Sequence, residues 1–222
     1  IPGGYTAEGD TWRFTTSNHY LVDEFETYNL VDNKIFDMWI EQGYAIVRLE
    51  EGDDAIVHGG DQAMGLDYYG DSSAKKSFVS SDFTSSDAKA LVIYFYGDST
   101  NDADLAYVAL SSGVTVEYDG AAADTAANEW IEWNIDMADF GATLTGITSV
   151  TVGMDLNDDG NAGLLIIDDI GIYKSRCVPA FSGLTADFNE DCKVDGDDLG
   201  ELADTWLEIG WGLVTATTPD AG

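Results

Sequence analysis

From Leu21 to about Tyr173 the chain is a succession of short runs rich in Val, Ile, Tyr, Phe and Trp, cut by clusters of Gly, Asp, Asn and Ser. No segment in that span sustains the 3.6-residue period of an amphipathic helix, and no run reaches the length of a membrane helix. Runs of this kind read as β-strands separated by turns. Strands are expected at 21–26, 44–50, 55–58, 63–69, 75–80, 88–96, 105–111, 114–118, 130–135, 148–154 and 164–173. In 130–135 the alternation is clear: Ile131, Trp133 and Ile135 share one face, and Trp130, Glu132 and Asn134 the other. In 88–96 both faces are apolar, which places that strand inside a sheet. This many strands at this spacing make an all-β chain whose sheets must cover one another, as a jelly-roll β-sandwich does.

Charge narrows the function. Nine Lys and Arg stand against 42 Asp and Glu, a net charge of −33. Such a surface repels nucleic-acid phosphates and anionic lipids, and attracts cations. The first residue is Ile, with no charged and apolar leader pattern after it, so the expectation is a secreted protein whose leader has been removed. Cys177 and Cys192 form one disulfide in an oxidising compartment, worth about 3 kcal/mol for a loop of that size; in a reducing one they are two free thiols.

Four segments are expected: a polar arm at 1–20, the sandwich at 21–176, a small loop-helix appendage at 177–209 and a tail at 210–222. In the appendage, Leu199, Leu202, Ala203, Trp206 and Leu207 form one apolar stripe on a short helix. Just before it, Asp187, Asn189, Asp191, Lys193, Asp195 and Asp198 occupy positions 1, 3, 5, 7, 9 and 12 of an EF-hand-type loop. Calcium takes six to eight oxygens, which alternate side chains and the position-7 carbonyl of such a loop supply. Calcium is therefore the expected cofactor.

The stretch DFNEDCKVDGDDLGELADTWL resembles a type I dockerin repeat, which implies calcium binding. Cys192 replaces the usual glycine at position 6, there is one repeat, and Pro179 and Gly183 leave no entering helix. These departures weigh against docking to a cohesin. A Cys177–Cys192 bridge would tie the loop to the last strand. The sandwich resembles the galactose-binding-like jelly rolls of carbohydrate-binding modules at LVDEFETY (21–28), VHGGDQAMGLDY (57–68), WIEWNIDMADFG (130–141) and LLIIDDIGIY (164–173). That resemblance implies a second, structural calcium between the first and last strands, with Glu24 or Glu26 and Asp168 or Asp169 as the matching acids. Neighbours on a strand point to opposite faces, so one of the two adjacent aspartates turns inward and needs a partner. The stretch Asp155–Asn161 has half of a calcium loop and reads as a hairpin turn. The whole arrangement is similar to secreted surface proteins of planctomycete-type bacteria.

No hydrolase elbow, zinc motif or phosphate-cradling loop is present, and the two histidines, His19 and His58, fit no metal pattern. The reading is a non-catalytic protein. Its partners are expected to be copies of itself, joined into a filament or matrix through arm 1–20 and the tail at 211–217, with extracellular polysaccharide as the alternative. Sugar rings stack on exposed aromatics. Trp130, Tyr94, Tyr96 and Tyr69 are the candidates, with Tyr68 and Trp39 considered beside them.

Overall fold

The computed structural model describes residues 19–81, 83, 88–141, 144–173, 196, 199 and 200. Eleven strands form among them: β1 (His19–Asp23), β2 (Trp39–Gly43), β3 (Ile46–Glu51), β4 (Gln62–Tyr69), β5 (Ser72–Ser81), β6 (Ala90–Gly97), β7 (Ala106–Leu110), β8 (Thr115–Glu117), β9 (Trp130–Asp136), β10 (Ile147–Met154) and β11 (Ala162–Tyr173). One helical turn, α1 (Ile35–Met38), leads into β2. Two antiparallel sheets result. The first runs β3-β4-β11-β6-β9, with β1 also on β11; the second runs β2-β5-β10-β7-β8. This is a jelly-roll β-sandwich.

The core lies between the sheets. Met64, Leu66, Leu165, Ile167, Leu91, Ile93, Phe95, Trp133 and Ile135 come from the first sheet and Ala74, Val108, Val150, Val152 and Met154 from the second. The alternation expected in β9 holds, since Trp133 and Ile135 are buried and Ile131 packs on the core. The two-faced apolarity of β6 also has its reason. Leu91, Ile93 and Phe95 face the core, while Ala90 and Val92 form a second small cluster with Tyr94 and Tyr173 on the outer face.

Two expected strands differ. Residues 55–58 lie in the connection between β3 and β4, because the His58 N–H bonds a carboxylate of β11 and not a strand partner. Expected strand 21–26 ends at Asp23, since Phe25 adopts a left-handed φ of 61° that no strand tolerates. Conversely, β2 was missed by its polar Glu41-Gln42 and is an edge strand on β5.

The strand end at Asp23 ties the sheets together. Its buried carboxylate accepts hydrogen bonds from Phe25 N (3.0 Å), Tyr28 Oη (2.6 Å), Trp39 Nε1 (2.7 Å) and Lys76 Nζ (2.6 Å). Trp39 and Lys76 belong to β2 and β5, so one carboxylate of the first sheet gathers donors from two strands of the second. Burial first, then the hydrogen bond to Asp23, pushes the Tyr28 phenol well above its ordinary range.

Residues 1–18 of the expected arm, both cysteines, the six ligand positions of the expected calcium loop and the tail lie outside the described residues, whereas His19 and Tyr20, expected in the arm, open β1. Among the described residues no helix is long and apolar enough to cross a membrane.

Candidate functional site

Strand parity decides what the outer face of the first sheet presents. With Met64, Leu66 and Tyr68 turned inward, Ala63, Gly65, Asp67 and Tyr69 of β4 turn outward. The same rule puts Tyr94 and Tyr96 of β6, and Trp130, Glu132 and Asn134 of β9, on that face. Register then lines them up. Arg48, Gly65, Ile166, Tyr96 and Trp130 form one row across five strands, and Asp168, Tyr94 and Glu132 part of the next. All four aromatic candidates, Trp130, Tyr94, Tyr96 and Tyr69, therefore share one face. Tyr69 is 58% exposed, in edge contact with Tyr44 at 6.0 Å, and the other three are half-buried. Tyr68 and Trp39 are not part of it: both are core residues, and Tyr68 Oη donates to the Asp102 carbonyl.

His58 completes the ring cluster. Its imidazole stacks on Tyr94 at 3.7 Å and 16°, and meets Trp130 edge-on at 5.5 Å; Trp130 in turn lies 5.7 Å from Tyr96. The sequence shows of His58 only that it fits no metal pattern. The run Val57-His58-Gly59-Gly60 was the signal available, but no spacing in it tells that the loop folds back over β6.

Three carboxylates hold that loop. Asp168 Oδ2 accepts from His58 N (2.9 Å) and Gly59 N (3.2 Å), and its Oδ1 from Asp169 N. Asp169 Oδ2 lies 2.7 Å from His58 Nδ1. From the other side, Glu26 accepts from Asp61 N and Gln62 N, each at 2.9 Å. The position follows from the topology. The first half of β11 pairs with β4 and its second half with β1, and the switch falls at a bulge between Asp168 and Gly171. Loop N–H groups fill the gap there. The alternation expected for Asp168 and Asp169 is broken by this bulge, where Asp169 takes a φ of 47°. Asp168 lies on the outer face with Tyr94, yet it is fully buried, because the His58–Gly59 loop covers it. Burial pushes its carboxyl up to about 6, with the N–H bonds of Gly59 and His58 pulling back and the Asp169 charge adding.

Of the acids matched to a second calcium, Glu26, Asp168 and Asp169 hold one loop and Glu24 lines the cleft beside it, and they do not form an oxygen cage in this arrangement. Glu26 and Asp168 direct their oxygens at N–H groups, and among the described residues no three His, Cys, Asp or Glu side chains converge as metal ligands. Glu24 and Asp169 instead line a cleft of about 240 Å³ next to the rings, with His58, Tyr94 and Tyr173. The Asp155–Asn161 stretch is the β10–β11 turn: Asp155 is buried and accepts from Asp159 N, Gly160 N and Asn161 N. Burial raises its carboxyl, but those bonds and contact with Asp104 outweigh that and hold it below the ordinary range.

No protein-family model matches the sequence, and no curated protein matches it. Several solved structures are similar. One is a family 11 carbohydrate-binding module from Clostridium thermocellum in complex with a β-1,3-1,4-mixed-linked tetrasaccharide, at 14% identity over 71% of this chain and 96% of that one, with a TM-score of 0.47. Another is an arabinose-bound α-L-arabinofuranosidase, at 11% identity and a TM-score of 0.51 over 70% of this chain. The match spans 26% of that enzyme's length. A third is a xylan-binding domain of Paenibacillus barcinonensis, at 14% identity over 69% of this chain and 93% of that one, with a TM-score of 0.43. The likeness is one of fold alone, a β-sandwich.

Proposed function

We propose that this chain is a non-catalytic carbohydrate-binding module that holds an extracellular polysaccharide across the outer face of its first sheet. The observation that carries this reading is the cluster of Trp130, Tyr96, Tyr94 and His58 on one face, with Tyr69 elsewhere on the same face. Amphipathic rings of this kind offer apolar area to the CH face of a sugar. Arg48 and Glu132 stand in those rows, Glu50 and Asp67 pair with Arg48, and together they supply donors and acceptors for hydroxyls. Gly65 keeps the floor between them low: a Cβ there would meet Arg48 and Glu50 at under 3 Å. The face supports glycan binding over self-assembly as the chain's main role. Secretion, and calcium in the 187–198 loop, belong to the same proposal.

The test is affinity electrophoresis through gels containing xylan, mixed-linked β-glucan, a soluble cellulose derivative or a soluble chitosan. The wild type is expected to be retarded by at least one. Trp130→Ala is expected to weaken that retardation about tenfold or more, as removal of a central aromatic contact does, with little change in melting temperature. Retardation that survives Trp130→Ala would refute the platform.

A further inference from the structure

The cleft beside the ring cluster has a chemistry of its own. Its volume of about 240 Å³ is below that of drug-sized pockets and suits one sugar ring or its substituent. Its ionisable lining is Glu24, Asp169 and His58, with the phenol rings of Tyr94 and Tyr173 beside them. No Lys or Arg among the described residues lines it. Asp169 Oδ2 accepts from His58 Nδ1 at 2.7 Å, which sets the imidazole of the lining against a carboxylate, and among the described residues Asp169 Oδ1 and the Glu24 carboxylate carry no hydrogen bond.

Carboxylates are acceptor-only groups, and they bind most strongly to donors that bring a positive charge. Aromatic rings within reach add attraction for the same charge. Calcium is a poor match, because it asks for six to eight oxygens and two carboxylates leave most of that shell unfilled. A protonated primary amine is a better one: it is small, monovalent, and carries three donors for a few acceptors. The surroundings agree in sign. On the adjoining face Arg48 is neutralised by Glu50 at 2.6 Å and Asp67 at 3.2 Å, and the chain's charge of −33 repels uronates and sulfated sugars. The cleft is also continuous with the platform, because His58 and Tyr94 belong to both.

We propose that this cleft is a subsite for a protonated amino group, so that the polysaccharide held carries free hexosamine amines. This rests on reading the outer face as a glycan platform, and the experiment separates the two. Isothermal titration at pH 6 in 0.15 M salt compares three β-1,4-linked hexamers: glucosamine, N-acetylglucosamine and glucose. The wild type is expected to bind the glucosamine hexamer at least tenfold more tightly than the other two. Glu24→Gln, an exposed substitution, is expected to cut that preference to about twofold, and Asp169→Asn to reduce it in the same direction. Glu24→Gln alters the net charge by one unit, so general attraction between an acidic protein and a basic sugar persists in it and does not imitate the result.

Equal binding of the three hexamers, or a preference that survives both substitutions, overturns the amine subsite while the platform stands. Binding of none overturns the amine subsite, and overturns the platform as well when none of the four gels retards the protein. A preference that EDTA abolishes and calcium restores assigns the cleft to a metal and also overturns the proposal.

Discussion

Among the described residues Lys76 is the sole full positive charge on the Asp23 carboxylate that links the two sheets. Replacing it with Met keeps the length and packing of the side-chain stem and removes the ammonium alone. The ion pair is 2.6 Å long with side chains 15% and 7% exposed, so little water is available to replace the lost partner. Breaking a buried pair from one side costs about 3–5 kcal/mol, most of it the penalty of the orphaned charge. Here Asp23 retains Tyr28 Oη, Trp39 Nε1 and Phe25 N as donors, which places the expected loss at the low end, about 3 kcal/mol. A weak contribution also goes from the ammonium over the Tyr28 and Trp39 rings, at 5.8 and 6.0 Å. Urea unfolding followed by tryptophan fluorescence measures the change. Asp23→Asn combined with Lys76→Met should lose less than the two single variants added together, because the charge that needed a partner is gone. A loss under about 1 kcal/mol for Lys76→Met, or strict additivity, would refute the view that this pair fastens the sheets.

Two further predictions concern the loop under His58. Burial holds the Asp168 carboxyl at about 6, above its unfolded value of 3.8. The charged form is the disfavoured one, so the group's contribution to stability is intact below the unfolded value and is lost as pH rises through 6, by about 2–3 kcal/mol. Wild-type stability should therefore fall between pH 4 and 7 relative to Asp168→Asn, and parallel pH curves from urea unfolding would contradict this. Gly60→Ala introduces a Cβ at a φ of 63°, 2.1–2.8 Å from the Glu26 carboxylate. Glu26 cannot move aside without releasing Asp61 N and Gln62 N, so a loss of about 2–3 kcal/mol in thermal or urea unfolding is expected, with weaker glycan retention as His58 is displaced.

Much of the sandwich was legible because strand physics is local. The parity of Trp130 to Ile135 named the inward residues of β9, and the same parity exposed Trp130. Tyr68 and Tyr69 show where that stops. Adjacent aromatics must face opposite ways, and which one is buried depends on the register of β4 between β3 and β11, information that no window around them holds. Trp39 was unreadable for a related reason: its inward place depends on Asp23, sixteen residues away, as acceptor of its indole N–H. The site was half legible. Its aromatics stood out as strand residues, whereas His58 is positioned by Asp168 and Asp169, more than a hundred residues distant in sequence. Of the four acids, Glu26 and Asp168 accept loop N–H groups more than thirty residues away, partners that no window of sequence shows.

The most direct test of the account is residue-resolved NMR during titration with whichever oligosaccharide retards the protein. Shifts concentrated on the Trp130 indole, Tyr96, Tyr94 and their strands β6 and β9, and on the loop that carries His58, are predicted. Shifts concentrated on the second sheet, with the Trp130 and His58 signals unmoved at saturation, would contradict it.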